Sequence, residues 1–166
     1  MKIAGIIRES IVNGPGIRFV VFGQGCPHKC HGCHNPQTHD FEGGFVIDSA
    51  EIMTEIEKNP LLSGVTFSGG EPFCQAGEFA DLAAEIKSRD LNIMTYTGYT
   101  FEEIHEISKT DIDYMRLLVF TDILVDGPYV ESKKDLTLKF RGSLNQRIID
   151  VHESNKNHTI VEFGSE

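Results

Sequence analysis

Ile17-Arg18-Phe19-Val20-Val21-Phe22 runs through Gly23-Gln24-Gly25 into Cys26-Pro27-His28-Lys29-Cys30-His31-Gly32-Cys33-His34-Asn35-Pro36. The first six residues are mostly β-branched or aromatic and read as a strand. The glycines, the proline and the cysteine-histidine run cannot continue it. The strand therefore ends in a loop carrying three cysteines within eight residues. Their spacing is C-x3-C-x2-C, unlike the paired C-x2-C of a zinc ribbon. The chain has four cysteines in all. Met1 to Glu9 lacks the apolar stretch of an export signal, so the cluster reads as a metal site rather than a disulfide framework.

A four-iron cluster has four corners, and ordinary electron-transfer proteins fill them with four thiolates. Three thiolates on one loop hold three corners and leave one iron open to a substrate. Gly23, Gly25 and Lys29 would let backbone amides reach the cluster sulfides. The same loop offers His28, His31 and His34, with His39 just beyond, and three cysteines plus one histidine is also a structural zinc set. Spacing leaves both metals open, with the soft thiolates favouring the cluster. Cys74 reads as a small buried residue, with a fourth ligand or a resolving thiol as the functional alternative.

Outward from this loop, short strands alternate with helices. Asp48 to Asn59 reads as a helix, with Ile52, Met53 and Ile56 on one face, Asp48 placed to cap it and Pro60 after its end. Gly64-Val65-Thr66-Phe67-Ser68 reads as a strand ending in Gly69-Gly70-Glu71-Pro72. Glu78 to Ser88 is a helix with Phe79, Leu82, Ala83 and Ile86 inward. Leu91 to Tyr96 is a strand ending in Thr97-Gly98. Thr100 to Ile107 is a helix opened by the capping box Thr100-x-x-Glu103. Asp122 to Val125 is a strand ending in Asp126-Gly127-Pro128. Met1 to Arg8 reads as an additional first strand and Thr159 to Phe163 as a last one. Such alternation implies βαβ units and a mainly parallel α/β sheet. Four units are too few to close an eight-stranded barrel, so an open, partial (βα) barrel or curved sheet is expected. Every unusual segment follows a strand, and in parallel α/β folds the carboxyl ends of the strands form the active-site edge.

At 166 residues, 40% hydrophobic and 24% charged, the chain suits one globular domain spanning 1–166. No apolar run approaches the roughly 18 residues of a membrane span, so no membrane partner is expected. Acidic residues outnumber basic ones 25 to 15, a net charge of −10. That balance argues against a nucleic-acid partner, which needs a basic footprint. A soluble, cytoplasmic protein is the expectation.

Cys26-x3-Cys30-x2-Cys33 followed by Gly69-Gly70-Glu71 resembles the radical S-adenosylmethionine enzymes. Asn13-Gly14-Pro15-Gly16-Ile17-Arg18 before the strand, and Cys33-His34-Asn35-Pro36 after it, are similar to the glycyl-radical-enzyme activases. Asp126-Gly127-Pro128-Tyr129 and Arg141-Gly142-Ser143-x-Asn145-Gln146-Arg147 are similar to one branch, the activases of anaerobic (class III) ribonucleoside-triphosphate reductases. The likeness runs from about residue 5 to 150, nearly the whole chain.

The resemblance implies an α/β partial, open (βα) barrel of the radical S-adenosylmethionine type. It implies that Cys26, Cys30 and Cys33 ligate a [4Fe-4S] cluster whose open iron is chelated by S-adenosyl-L-methionine. One electron, from a flavodoxin or a thioredoxin system, would cleave the sulfonium to methionine and a 5′-deoxyadenosyl radical. That radical would take a hydrogen atom from a glycine of the reductase large subunit. Gly69 and Gly70 would let the backbone approach the methionine moiety, and Glu71 would meet its ammonium. Asp126 is a candidate for the ammonium, a ribose hydroxyl or the sulfonium. Thr95, Tyr96 and Thr97 are candidates for ribose or carboxylate contacts. Gly32 stands where many such enzymes carry an aromatic residue against the adenine, leaving His34 or backbone for that task. Asn13 to Gly16 would shape the mouth of the site, and the basic stretch Lys133 to Arg147 would dock a partner or close the site. An activase of another glycyl radical enzyme, such as pyruvate formate-lyase, is the near alternative. A zinc-binding interaction module is the distant one.

Overall fold

The computed structural model describes residues 1–164. Seven strands form one sheet: β1 Lys2–Ser10, β2 Arg18–Gly23, β3 Phe45–Val46, β4 Gly64–Gly69, β5 Asn92–Tyr96, β6 Ile123–Asp126 and β7 Arg147–Asp150. Their order is β3-β1-β2-β4-β5-β6-β7. The middle is parallel, β2 to β4 to β5 to β6. Both flanks are antiparallel: β1 on β2, β3 on β1, and β7 on β6. The sheet is thus mixed, and the expectation of a mainly parallel one holds only for its centre. The antiparallel pairing of β1 with β2 follows from the short 11–17 loop between them, since antiparallel neighbours need no crossover helix.

The helices are α1 Ser49–Glu57, α2 Ala76–Lys87, α3 Phe101–Ile107, α4 Ile112–Phe120 and α5 Val151–Asn157. All five bury apolar residues in one core with the same face of the sheet. That core joins Ile52 and Ile56, Phe79 and Leu82, Ile104, Leu117 and Val151 to Phe19, Val21, Val65, Phe67, Ile93 and Leu124. Side chains alternate across a strand, so Val20, Phe22, Thr66, Ser68, Met94, Tyr96 and Val125 point to the other face. There Met94, Ile123 and Val125 form a small second cluster with Tyr96, Phe140 and Ile148. Loops cover this second face: Thr66 donates to the Asn13 carbonyl, and the Tyr96 hydroxyl to the Phe140 carbonyl.

Several elements depart from the sequence expectation. β3, α4, β7 and α5 were not expected. Residues 159–163 make no strand, only an isolated bridge between Ile149 and Glu162; the last strand is β7. Asp48 stands at the N-cap of α1 without a side-chain cap bond, whereas the Thr100–Glu103 capping box on α3 is fully formed. Cys74 is exposed, in a short helical turn at Pro72–Gln75, rather than buried. No helix among the described residues is long and apolar enough to cross a membrane.

Candidate active site

Arg18 shows how the sequence sets the near wall. It is 1% exposed, yet its guanidinium donates to Thr66, the Val65, Asn92 and Pro15 carbonyls and the Asn92 side chain. Burial pushes it down from its ordinary value to about 10. A methyl on Gly14 would strike this side chain at 2.6 Å, and Gly14 itself sits at φ +135°. The Asn13-to-Arg18 motif is therefore a buried strut that folds the 11–16 loop onto the sheet. Val12 and Asn13 reach the cleft described below.

β2 ends at Gly23, and the cysteine loop is closed at its base. Gly25 N donates to the Thr38 carbonyl and Cys26 N to that of His39. The Gly69-Gly70-Glu71 turn lies directly against this base, with Gly70 N donating to the Gly23 carbonyl and Glu71 N to that of Gly25, both at 2.8 Å. A Cβ on Gly70 would stand 2.4 Å from the Gly25 oxygen. Gly69 has φ +89°, and its Cβ would meet the Gly23 backbone at 2.8 Å. These two glycines are demanded by the crossing of two backbones.

The carboxyl ends of β2, β4, β5 and β6 then open onto one cleft of about 460 Å³, within the range of cofactor sites. Cys26, Cys30 and Cys33 all line it, together with Ser68, Gly69, Gly70, Tyr96, Thr97, Gly98 and His34. The far wall is Tyr129 and the 138–146 segment, including Phe140, Arg141, Gly142 and Gln146. That segment is knotted internally. The Gln146 amide oxygen accepts from Gly142 N and Ser143 N, its nitrogen donates to the Gly127 carbonyl, and Asn145 donates to that of Pro128. The Arg-Gly-Ser-x-Asn-Gln motif is thus a wall brace.

Other sequence candidates lie elsewhere. Glu71 is 1% exposed and its carboxylate is spent. It accepts from Phe73 N, Thr97 Oγ1, Gly98 N and His28 Nε2, so it has no oxygen for a ligand's ammonium. Asp126 is also absent from the lining. Its oxygens accept from Phe101 N and the Arg147 guanidinium, which caps α3 and anchors β7. Thr95 faces the helices and shares a hydrogen bond with Thr121. Strand alternation forbids Thr95 and Tyr96 from reaching the same side. Gly32 has φ +78°, and a Cβ there would collide with Glu131 at 2.1 Å and approach Tyr129 at 3.2 Å. Tyr129 in turn packs on His34 with ring centroids 5.1 Å apart. The sequence reading missed Ser68, Phe22 and Tyr129 as lining residues, and offered His28 only as a possible zinc ligand. For Phe22 and Ser68 the strand parity shared with Tyr96 was a usable signal.

The donor set fits an iron–sulfur cluster. Three thiols share the cleft, and Asn35 N donates to Cys33 Sγ at 3.4 Å. Burial pushes the Cys26 thiol up, while the His28 and Lys29 amides directed at its sulfur work the other way. Among the described residues, no group of three or more His, Cys, Asp and Glu is placed to hold a metal ion. A four-iron cluster does not need its ligands gathered on one ion, because each thiolate takes its own corner.

A family model described as a 4Fe-4S single cluster domain matches residues 12–149. The anaerobic ribonucleoside-triphosphate reductase-activating protein of Enterobacteria phage T4 is 34% identical over 145 residues, 82% of this chain and 86% of its own. Its namesake from Vibrio cholerae is 34% identical over 146 residues, 83% of this chain and 90% of its own. The one from Escherichia coli K12 is 31% identical over 144 residues, 82% and 90% of the two chains. The chain belongs to this activating-protein family. For a member of the activating-protein family with a 4Fe-4S domain, the zinc reading of the cysteine spacing gives way to the iron–sulfur one.

Proposed function

We propose that this chain is a cytoplasmic, single-domain radical S-adenosylmethionine activase of an anaerobic ribonucleoside-triphosphate reductase. The observation that carries the reading is the single cleft at the strand ends, lined at once by Cys26, Cys30, Cys33 and the Gly69-Gly70 turn. Cys26, Cys30 and Cys33 would hold a [4Fe-4S] cluster, and the cleft that they line would take S-adenosyl-L-methionine. When bound and reduced, such a cluster would supply the one electron for reductive cleavage of the sulfonium C–S bond to methionine and a 5′-deoxyadenosyl radical, which would take a hydrogen atom from a glycine of the reductase large subunit.

The chain's own residues orient the cofactor. The Gly69-Gly70 peptide groups and the Ser68 hydroxyl offer polar contacts to the methionine end, with Thr97 beside them. Tyr129 and His34 form an aromatic wall for the adenine, in the place where Gly32 brings no ring. Tyr96, bonded to the Phe140 carbonyl, holds the 138–146 wall over the site. Lys133, Lys134 and Lys139, exposed next to that wall, meet the reductase. A flavodoxin or thioredoxin system delivers the electron.

The test is anaerobic reconstitution with iron and sulfide, then dithionite and S-adenosylmethionine, with and without the reductase. Equimolar 5′-deoxyadenosine and methionine, absent in Cys30→Ala, and a glycyl radical on the reductase by electron paramagnetic resonance are expected. A fully loaded cluster that yields neither product, even with the reductase present, overturns the reading. A radical formed on pyruvate formate-lyase instead would reassign the partner.

A further inference from the structure

β6 ends at Asp126 and β7 begins at Arg147, and the two pair directly as antiparallel neighbours. A hairpin connection needs only about 2–5 residues, yet residues 127–146 lie between these strands. They contain one short helical turn, Glu131–Lys133, and one isolated bridge between Lys134 and Ser143. Connections this long inside a compact domain are mostly lids or binding loops. This one folds back over the cleft, which Tyr129, Leu138, Phe140, Arg141, Gly142 and Gln146 line.

Inside, the segment is stitched to itself. Leu144 N donates to the Lys133 carbonyl, Asp135 N to that of Gly142, and Val130 N to the Ser143 hydroxyl. At its neck, Gln146 Nε2 donates to the Gly127 carbonyl and Asn145 Nδ2 to that of Pro128. Its hold on the rest of the molecule is slight by comparison. Among the described residues, one hydrogen bond joins 128–146 to a residue outside the connection: the Tyr96 hydroxyl donates to the Phe140 carbonyl at 2.6 Å. Burial pushes this phenol above its ordinary value, so it stays a donor. The remaining contact is packing. Phe140 rests on the Met94, Ile123 and Val125 cluster, and a Cβ on Gly142 would stand 3.3 Å from the His34 ring of the cysteine loop. Phe140 itself has φ +64°, in the left-handed region that bulky side chains avoid. Such strain persists only where the surroundings impose it, and it gathers at clamps and switches.

We propose that residues 128–146 are a lid that opens and closes over the cleft as one stitched piece, and that Tyr96 is a positioning residue, the latch that holds it shut through Phe140. The proposal rests on the cofactor site assigned above. A cofactor in the cleft would meet Tyr129 and Phe140 fully only when the lid is down. Binding therefore favours the closed form, and closure excludes water from the site.

Two variants test this. Tyr96→Phe removes the latch hydroxyl alone. Asn145→Ala loosens the neck from a position that does not line the cleft. Amide hydrogen exchange is measured first on the apoproteins, where neither cluster nor cofactor enters. Peptides across 128–146 should open together. They should exchange roughly 2- to 13-fold faster in both variants, the weight of one hydrogen bond, with β2 and β4 unchanged. Exchange across 128–146 that matches the wild type in Tyr96→Phe, or a gain spread over the whole sheet, overturns the proposal. The reconstituted proteins are then mixed with S-adenosylmethionine. It should slow exchange across 128–146 in the wild type, and both variants should release it faster by about the same factor. Faster release from Tyr96→Phe alone, with Asn145→Ala like the wild type, would make Tyr96 a direct cofactor contact and overturn the lid. A wild type that loads iron and binds no S-adenosylmethionine would instead sink the cofactor reading, while exchange on the apoproteins still judges the latch.

Discussion

Thr95 and Tyr96 are neighbours in sequence and opposites in use. Thr95 bonds Thr121 under the helices, and Tyr96 stands in the cleft. Thr95→Val should cost about 0.5–1.5 kcal/mol of stability, one hydrogen bond, and leave cofactor cleavage at the wild-type rate. Denaturant unfolding and the product assay separate the two effects. Tyr129 is the residue to remove for the opposite result. If its ring carries the adenine, Tyr129→Ala loses about 1–3 kcal/mol of stacking, roughly 5- to 150-fold in affinity. Tyr129→Phe, which loses only the hydroxyl's bond to Glu131, should bind like the wild type. Equilibrium binding of S-adenosylmethionine to the reconstituted protein checks both. Gly70→Ala would drive a methyl into the Gly25 carbonyl at 2.4 Å. Overpacking against backbone should cost about 1–3 kcal/mol and lower iron uptake, since the cysteine loop must move.

At the scale of elements, carboxylates tie the layers together. Asp126 caps α3 and, with Glu102, holds Arg147 of β7. Arg147→Met would leave Asp126 buried at 1% exposure with Phe101 N as its remaining donor. Breaking a buried pair from one side costs about 3–5 kcal/mol, and Asp126→Asn in the same background should recover part of it. At the opposite end of the sheet, Asp122 accepts from Lys87 of α2, Ile93 N of β5 and His152 of α5. Burial alone would push its carboxyl up, but Lys87, the Ile93 amide and His152 together hold it below its ordinary 3.8. The folded state thus favours the charged form. Its stabilisation is complete above the ordinary value and is lost as pH falls through the lower folded one. Stability should decline below about pH 4 for this reason among others, and Asp122→Asn should flatten that part of the profile in urea titrations run at successive pH.

Across the whole molecule the charge is uneven. The chain carries −10 overall, yet Lys133, Lys134 and Lys139 sit exposed beside the far wall of the cleft. A local basic rim on an acidic protein steers an acidic surface without attracting polyanions in general. If this rim meets the reductase, association should slow as salt rises from 0.05 to 0.5 M, because screening shortens to a few ångströms (roughly 4 Å at the upper limit). Reversing Lys133 and Lys134 to Glu should slow it at low salt, with the cofactor reaction alone unchanged. Stopped-flow association with purified reductase checks this.

Strand-helix alternation, the capping box at Thr100 and the glycine-rich strand ends were legible in the sequence because each is local. Propensity, period and turn chemistry act over a few residues. The cysteine spacing and the Gly-Gly-Glu turn likewise marked the edge of the sheet where the cleft opens. Arg147 to Asp150 was not legible as a strand, since four residues flanked by polar ones carry no period, and its pairing with β6 is what makes it one. The roles of Glu71, Asp126 and Thr95 were not legible either. A carboxylate reads the same in sequence whether it faces a ligand or four buried donors, and a threonine the same on either face of a strand. Residue types at a spacing determine which chemistry is available. Only the tertiary structure decides which of those groups are already spent on holding the fold, because burial and hydrogen-bond partners come from segments far apart in the chain.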